Sequence, residues 1–189
     1  MGVIVGIGYK KGSGKNTLAK LINTYLQRCC GKCVTKQVSF AEKVKDISYQ
    51  LYSWANLKRG IHYESHYDEK EITLPLIGLS PRDIWIAVGN KMREIYPSTW
   101  VDYALKGIKA NVILITDMGF HNEYQKIKES GGMCVKMIRN GLVLGTDARE
   151  TELDSISNSH WDYVITNNGT ISNLNIEAER IGNHILEKI

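Results

Sequence analysis

The run Val3-Ile4-Val5-Gly6-Ile7-Gly8-Tyr9-Lys10-Lys11-Gly12-Ser13-Gly14-Lys15-Asn16-Thr17-Leu18-Ala19 constrains this chain more than any other stretch. It reads as a short apolar strand, a glycine-broken loop, a lysine and then the first turn of a helix. That order makes a phosphate cradle, in which backbone N–H groups converge on the anion and the lysine adds a compact positive charge. Gly12 and Gly14 permit a backbone curl that side chains would obstruct. Against the pattern G-x-x-x-x-G-K-[ST], Tyr9 stands where glycine is expected and Asn16 where a hydroxyl residue is expected. Thr17 supplies a hydroxyl one position later.

Beyond this loop the chain alternates between two hydrophobic periods. Apolar, β-branched runs at 2–7, 33–40, 111–117, 133–138 and 163–166 read as strands. Between them, 17–27, 42–54, 81–93, 98–108, 121–130 and 172–188 carry helical periodicity. Ser80 and Pro81 make an N-cap and first helical position. Near-continuous apolar strands alternating with amphipathic helices predict an α/β fold, a five-stranded parallel sheet with helices on both faces. Residues 55–79 lack periodicity and are rich in Tyr, His, Glu and Lys, which predicts a mobile substrate-side loop. One domain over 1–189 is expected.

The chain has 189 residues, 43% hydrophobic and 23% charged, enough to bury a sizeable core. A net charge of +4 suits a protein handling polyanionic small molecules and does not demand nucleic acid. The first residues form too short an apolar run for a signal peptide, and nothing approaches a membrane span. Cys30 and Cys33 have no second pair or His at ligand spacing, so reduced thiols are expected over a metal site. These features predict a cytoplasmic, reducing setting.

Phosphoryl transfer needs a metal anchor and further cations. Asp117 closes the run Val112-Ile113-Leu114-Ile115-Thr116, where a carboxylate at a strand's C-terminal end can orient Mg²⁺ through water. Its alternative role is to cap the following turn. Arg82 and Arg93 stand about three helical turns apart and so share a face. They suit an acceptor phosphate, or else pair at the surface with Asp83 or Glu94. Arg139 and Arg149 bracket the segment after the fourth strand, where a closing segment would lie. Asn167-Asn168-Gly169-Thr170 makes a turn that could also contact a nucleotide base. Trp54 and Trp100 could stack on a base or belong to the core.

The chain resembles the deoxynucleoside monophosphate kinases of bacteriophages, members of the P-loop nucleotide kinase superfamily. The resemblance lies in ordered blocks: Gly12-Ser13-Gly14-Lys15-Asn16-Thr17, Ser39-Phe40-Ala41-x-x-x-Lys45, Ser80-Pro81-Arg82-Asp83, Gly89-x-x-x-Arg93, Pro97-x-x-Trp100-Val101, Asp117-x-x-Phe120-x-Asn122-Glu123, Glu150-x-Glu152-Leu153-Asp154, and Asp162-Tyr163-Val164-Ile165-x-Asn167-Asn168-Gly169-Thr170. It implies a three-layer P-loop fold with a helical insertion at about 55–110 and a lid at about 139–155. It also implies transfer of the ATP γ-phosphoryl to a deoxynucleoside monophosphate, with ATP and Mg²⁺ as cofactors.

Gly12, Ser13, Gly14, Lys15 and Asn16 would then hold the ATP phosphates, and Thr17 and Asp117 would serve the metal. Arg82 and Arg93 would face the acceptor. Arg139 and Arg149 would belong to the lid side, and Asn168 with Gly169 to the adenine edge. No nucleic-acid or membrane partner is implied, and a homodimer stays open. Where the family reads Asp-x-Arg-Phe-Pro-Asn-Glu, this chain has Gly119 and His121, so one candidate phosphate contact is missing. Competing readings are a kinase of dephospho-coenzyme A or phosphomevalonate type, and a non-catalytic nucleotide-binding module.

Overall fold

The computed structural model describes residues 2–142 and 151–189. Five strands, β1 (Val3–Gly8), β2 (Thr35–Val38), β3 (Val112–Met118), β4 (Met133–Ile138) and β5 (Tyr163–Thr166), form one sheet. Its order is β2-β3-β1-β4-β5, and every neighbouring pair is parallel. The main helices are α1 (Lys15–Cys29), α2 (Phe40–Tyr52), α3 (His62–Ser65), α4 (Pro81–Ile95), α5 (Thr99–Leu105), α6 (His121–Glu129) and α7 (Ile171–Leu186). The parallel α/β architecture expected from the two hydrophobic periods is therefore present, with strand ends within a few residues of those expected. It is a P-loop NTPase-like arrangement. Two compact units make up the chain, Met1–Val38 with Gly107–Ile189, and Ser39–Lys106.

In the first unit, alternate residues of each strand go to opposite faces. Val5, Ile7, Leu114, Val135 and Met137 bury on one face with Leu18, Ile22 and Leu26 of α1 and Leu174, Ala178, Ile181 and Ile185 of α7. On the other face Ile127 of α6 comes over Gly6, and the Cys134 thiol donates to the Tyr124 carbonyl. Helices thus cover both faces of the β1 and β4 region, as a buried parallel sheet requires. Burial, with the Asp162 carboxylate nearby, pushes the Cys134 thiol up to about 12, so it stays protonated and inert.

The α1–α7 seam depends on one close approach. A Cβ on Gly182 would stand 2.4 Å from the Tyr25 ring, so the helix surface is cut away there to seat the tyrosine. The Tyr25 hydroxyl then donates to Asn183 Oδ1 at 2.6 Å. An N-cap Thr170, whose hydroxyl accepts from Asn173 N at 3.3 Å, starts α7 beside the last strand.

The second unit has its own small cluster, Leu57, Tyr63 and Ile84, with Trp85, Val88 and Leu74 against it. Residues 55–79, expected as a loop, instead carry α3, a 3₁₀ turn at Tyr67–Glu71 and an antiparallel bridge between Leu74 and Leu79. Leu57 and Tyr63 are buried, and the Tyr63 ring meets Trp85 edge-on at 5.1 Å. Pieces of one turn leave no 3.6-residue period to read, which is why the pattern was silent. Ser80 and Asp83 form a reciprocal capping box at the start of α4, with Pro81 at its first position.

Gly182→Ala tests the seam, because helix propensity alone favours alanine by about 1 kcal/mol. The 2.4 Å approach predicts the opposite sign, a net loss of about 1–3 kcal/mol as Tyr25 is displaced. Urea denaturation of the two proteins reads the sign directly.

Candidate functional site

The glycine-broken loop spans the gap between β1 and α1, and its backbone is curled as a phosphate cradle would need. Gly12 has φ 77° and Gly14, the N-cap of α1, has φ 98°. Gly14 is required twice over, because a Cβ there would also stand 2.4 Å from Asn167 Nδ2. That Asn167 amide donates to the Ser13 carbonyl at 2.9 Å. Ser13 is fully buried, and its hydroxyl donates to the Lys10 carbonyl at 2.8 Å.

Lys15 opens α1, and its ammonium donates to the carbonyls of Lys10 at 2.5 Å and Tyr9 at 3.2 Å. These two bonds hold the charge over the loop on uncharged carbonyl oxygens. Helix α1 has no acidic residue in its first turn. Its first N–H groups have no intrahelical acceptor, and the helix dipole makes that end positive. Asn16 is exposed and Thr17 half-buried in the same turn. Such a loop can bind a phosphate chain.

Tyr9 occupies the position where the loop pattern expects glycine, and its φ is 90°. A side chain in that region costs about 1–2 kcal/mol, so something must hold it. Its ring lies under two ammonium groups, Lys10 at 4.7 Å and Lys136 at 4.3 Å from the centroid. Its hydroxyl donates to Asp154, and burial together with that carboxylate pushes the phenol up to about 12. Lys10 Nζ also reaches Asp154, at 2.8 Å from each carboxylate oxygen.

Burial alone would raise Asp154, but hydrogen bonds from Lys10 and Tyr9 and the nearby lysine charges hold it below the ordinary range. Lys136, in register opposite Gly8, donates to Asn158 Oδ1 at 3.0 Å and faces the Trp161 ring. Burial, with Lys10 nearby, lowers its ammonium pKa despite Asp154.

Asp117 sits near the C-terminal end of β3, next to Met118, which pairs with Gly8 where β1 gives way to the loop. Arg139 is exposed just past β4. Asn168 Oδ1 accepts from Asn140 N at 2.8 Å, which ties the ends of β4 and β5 together. Gly169 lies against the Asn173 cap. Arg82 and Arg93 are both on α4 in the second unit. Arg82 pairs with Glu71 at 3.1 Å rather than with Asp83, which belongs to the capping box. Arg93 lies over Gly89, whose carbonyl accepts from the buried Trp100 indole at 2.9 Å. Trp100 is therefore core and offers no face to a base, whereas Trp54 is exposed. Arg149 falls outside the described residues.

Gly119 N donates to the buried Glu123 carboxylate at 2.8 Å, so the altered block is still tied at its backbone. Among the described residues no three His, Cys, Asp or Glu side chains gather as a metal cage. No helix among them is long and apolar enough to cross a membrane.

Sequence reasoning gave Lys10 and Lys136 no role, noted Tyr9 only as a departure from the loop pattern, and met Asn167 only in a turn and Asp154 only in a family block. A lysine inside the apolar run Met133-Cys134-Val135-Lys136-Met137-Ile138 was a usable signal, since buried strands rarely carry one without a partner.

No protein-family model matches the chain. A protein of Acanthamoeba polyphaga mimivirus named "Putative deoxynucleotide monophosphate kinase" is 26% identical to it, with 89% of this chain and 90% of that protein covered. The similarity therefore runs through both units.

The Asp154 carboxylate has a pH signature. Its folded-state pKa is lowered, so its stabilisation is present above the unfolded value near 3.9 and is lost as pH falls through the folded value. Asp154→Asn is expected to be less stable than the parent from about pH 5 to 7, with the gap closing below about pH 4. Urea midpoints across that range check it.

Proposed function

We propose that the chain is a deoxynucleoside monophosphate kinase, which moves the γ-phosphoryl group of Mg·ATP to a deoxynucleoside monophosphate and gives the diphosphate. The observation that carries this reading is the curled loop with Lys15 resting on the carbonyls of Tyr9 and Lys10 at the acid-free start of α1. The end-to-end similarity to the mimiviral protein supports the choice of acceptor.

On this reading the loop N–H groups and Lys15 take the β- and γ-phosphates. Phosphate oxygens are charged acceptors, so a hydrogen bond from the ammonium to them is stronger than one to a neutral carbonyl. Thr17 and Asp117 suit a magnesium ion, which typically takes one or two protein oxygens and fills its shell with phosphate and water. Such an ion supplies neutralisation of the phosphate charge. Arg82 and Arg93 serve the acceptor phosphate. The exposed Arg82–Glu71 pair is of the weak kind, so giving it up for a phosphate costs little. Asn168 and Gly169 offer backbone groups to the base, since the Asn168 side-chain oxygen is already engaged. Arg139, exposed just past β4, adds positive charge for the ATP phosphates, and the family resemblance gives Arg149 a part in the lid. The transfer is in-line, by positioning and charge neutralisation, with no covalent enzyme intermediate.

The experiment is a panel of the four deoxynucleoside monophosphates and their ribose counterparts with labelled Mg·ATP. Transfer to at least one deoxynucleotide is expected, and Lys15→Ala should lower it by at least ~100-fold while leaving the fold intact by circular dichroism. Transfer to no deoxynucleotide, or near-normal turnover without Lys15, defeats the reading.

A further inference from the structure

We propose that Asp154 is a positioning residue for the phosphate loop: it holds Tyr9 and Lys10 so that their carbonyls seat the Lys15 ammonium. The inference rests on the loop's reading as an ATP site.

Three observations converge on it. First, Asp154 lies 144 residues beyond Lys10 in sequence, yet both its oxygens stand 2.8 Å from the Lys10 ammonium. Second, the Tyr9 hydroxyl donates to the same carboxylate, and Tyr9 is the non-glycine residue that the loop carries at φ 90°. A glycine would adopt that angle freely, whereas a tyrosine must be held there. Third, the two residues whose side chains Asp154 grips are the two whose carbonyls receive Lys15.

The Lys10 carbonyl also takes the Ser13 hydroxyl, so a shift at Lys10 is felt along the loop. The carboxylate answers a further need as well. Lys10 and Lys136 are only 5% and 6% exposed and share the Tyr9 ring, and Asp154 is an anion that both of them sense. Its charge offsets the repulsion between two buried ammonium groups beside the loop.

The chain has thus replaced a conformationally free residue with one that is locked from a distant segment. Asp154 touches no phosphate in this scheme. It acts through the loop, so its loss should fall on ATP binding and leave the chemical step of bound substrate largely unchanged.

The test compares the parent with Asp154→Ala, Asp154→Asn, Tyr9→Gly and the Asp154→Ala/Tyr9→Gly pair. Two readouts are taken: hydrogen exchange of the 9–15 amides without ligand, and ATP affinity with KM and kcat. Asp154→Ala should speed exchange of those amides and weaken ATP binding and KM about tenfold, with kcat within about twofold. Asp154→Asn, which keeps the acceptor oxygen, should fall between it and the parent. Tyr9→Gly should restore most of the loss in the double variant, because glycine needs no lock.

Unchanged loop exchange in Asp154→Ala overturns the proposal. So does a double variant as impaired as the single one, or exchange raised equally throughout the unit. If Asp154→Ala does not fold, Asp154→Asn and the double variant decide on the same criteria. A parent protein that binds no ATP would sink the kinase reading, while the exchange comparison still decides the role of Asp154.

Discussion

The central place of β1 in the sheet is the constraint on which the rest of the site depends. It runs between β3 and β4 and is buried on both faces, so the point where it ends is fixed by two neighbouring registers at once. The β1–β3 register steps by one residue between Gly6 and Gly8, so that Met118 stands opposite Gly8 where the loop leaves. Asp117 is placed next to it by the β3 register and Lys136 by the β4 register. The surroundings of the loop therefore come from three strands, although its motif is written in one.

The legible part of this molecule was the part with a period. The strand runs gave the parallel sheet, because double-sided burial writes continuous apolar segments that few other structures need. The helix start at Pro81 was readable because capping uses few residue types at fixed offsets. Residues 55–79 were not readable, since one-turn pieces pinned by Leu57 and Tyr63 leave no repeat to detect.

Site residues divided in the same way. Lys15, Gly12 and Gly14 announce themselves by spacing, because a curled backbone and a lysine at its end are local requirements. Asp154, Lys136 and Asn167 reach the loop only through the fold, and no local spacing encodes a partner more than a hundred positions away. Tyr9 looked like a departure from the motif for that reason. Its conformation is the one glycine would take, and the compensation is stored elsewhere in the chain.

The seam between α1 and α7 has a consequence for the order of folding. Tyr25 and Asn183 are 158 positions apart, and the apolar faces of the two helices bury each other against one side of the sheet. As the chain leaves the ribosome, the helix that carries Lys15 is made well before its packing partner. Such a contact closes late because the entropy of the long loop must be met first. Until then α1 has an uncovered apolar stripe, and the phosphate loop at its head lacks the frame that gives it shape. The curl around Lys15 therefore takes its final shape only after a segment far downstream has been made and has docked.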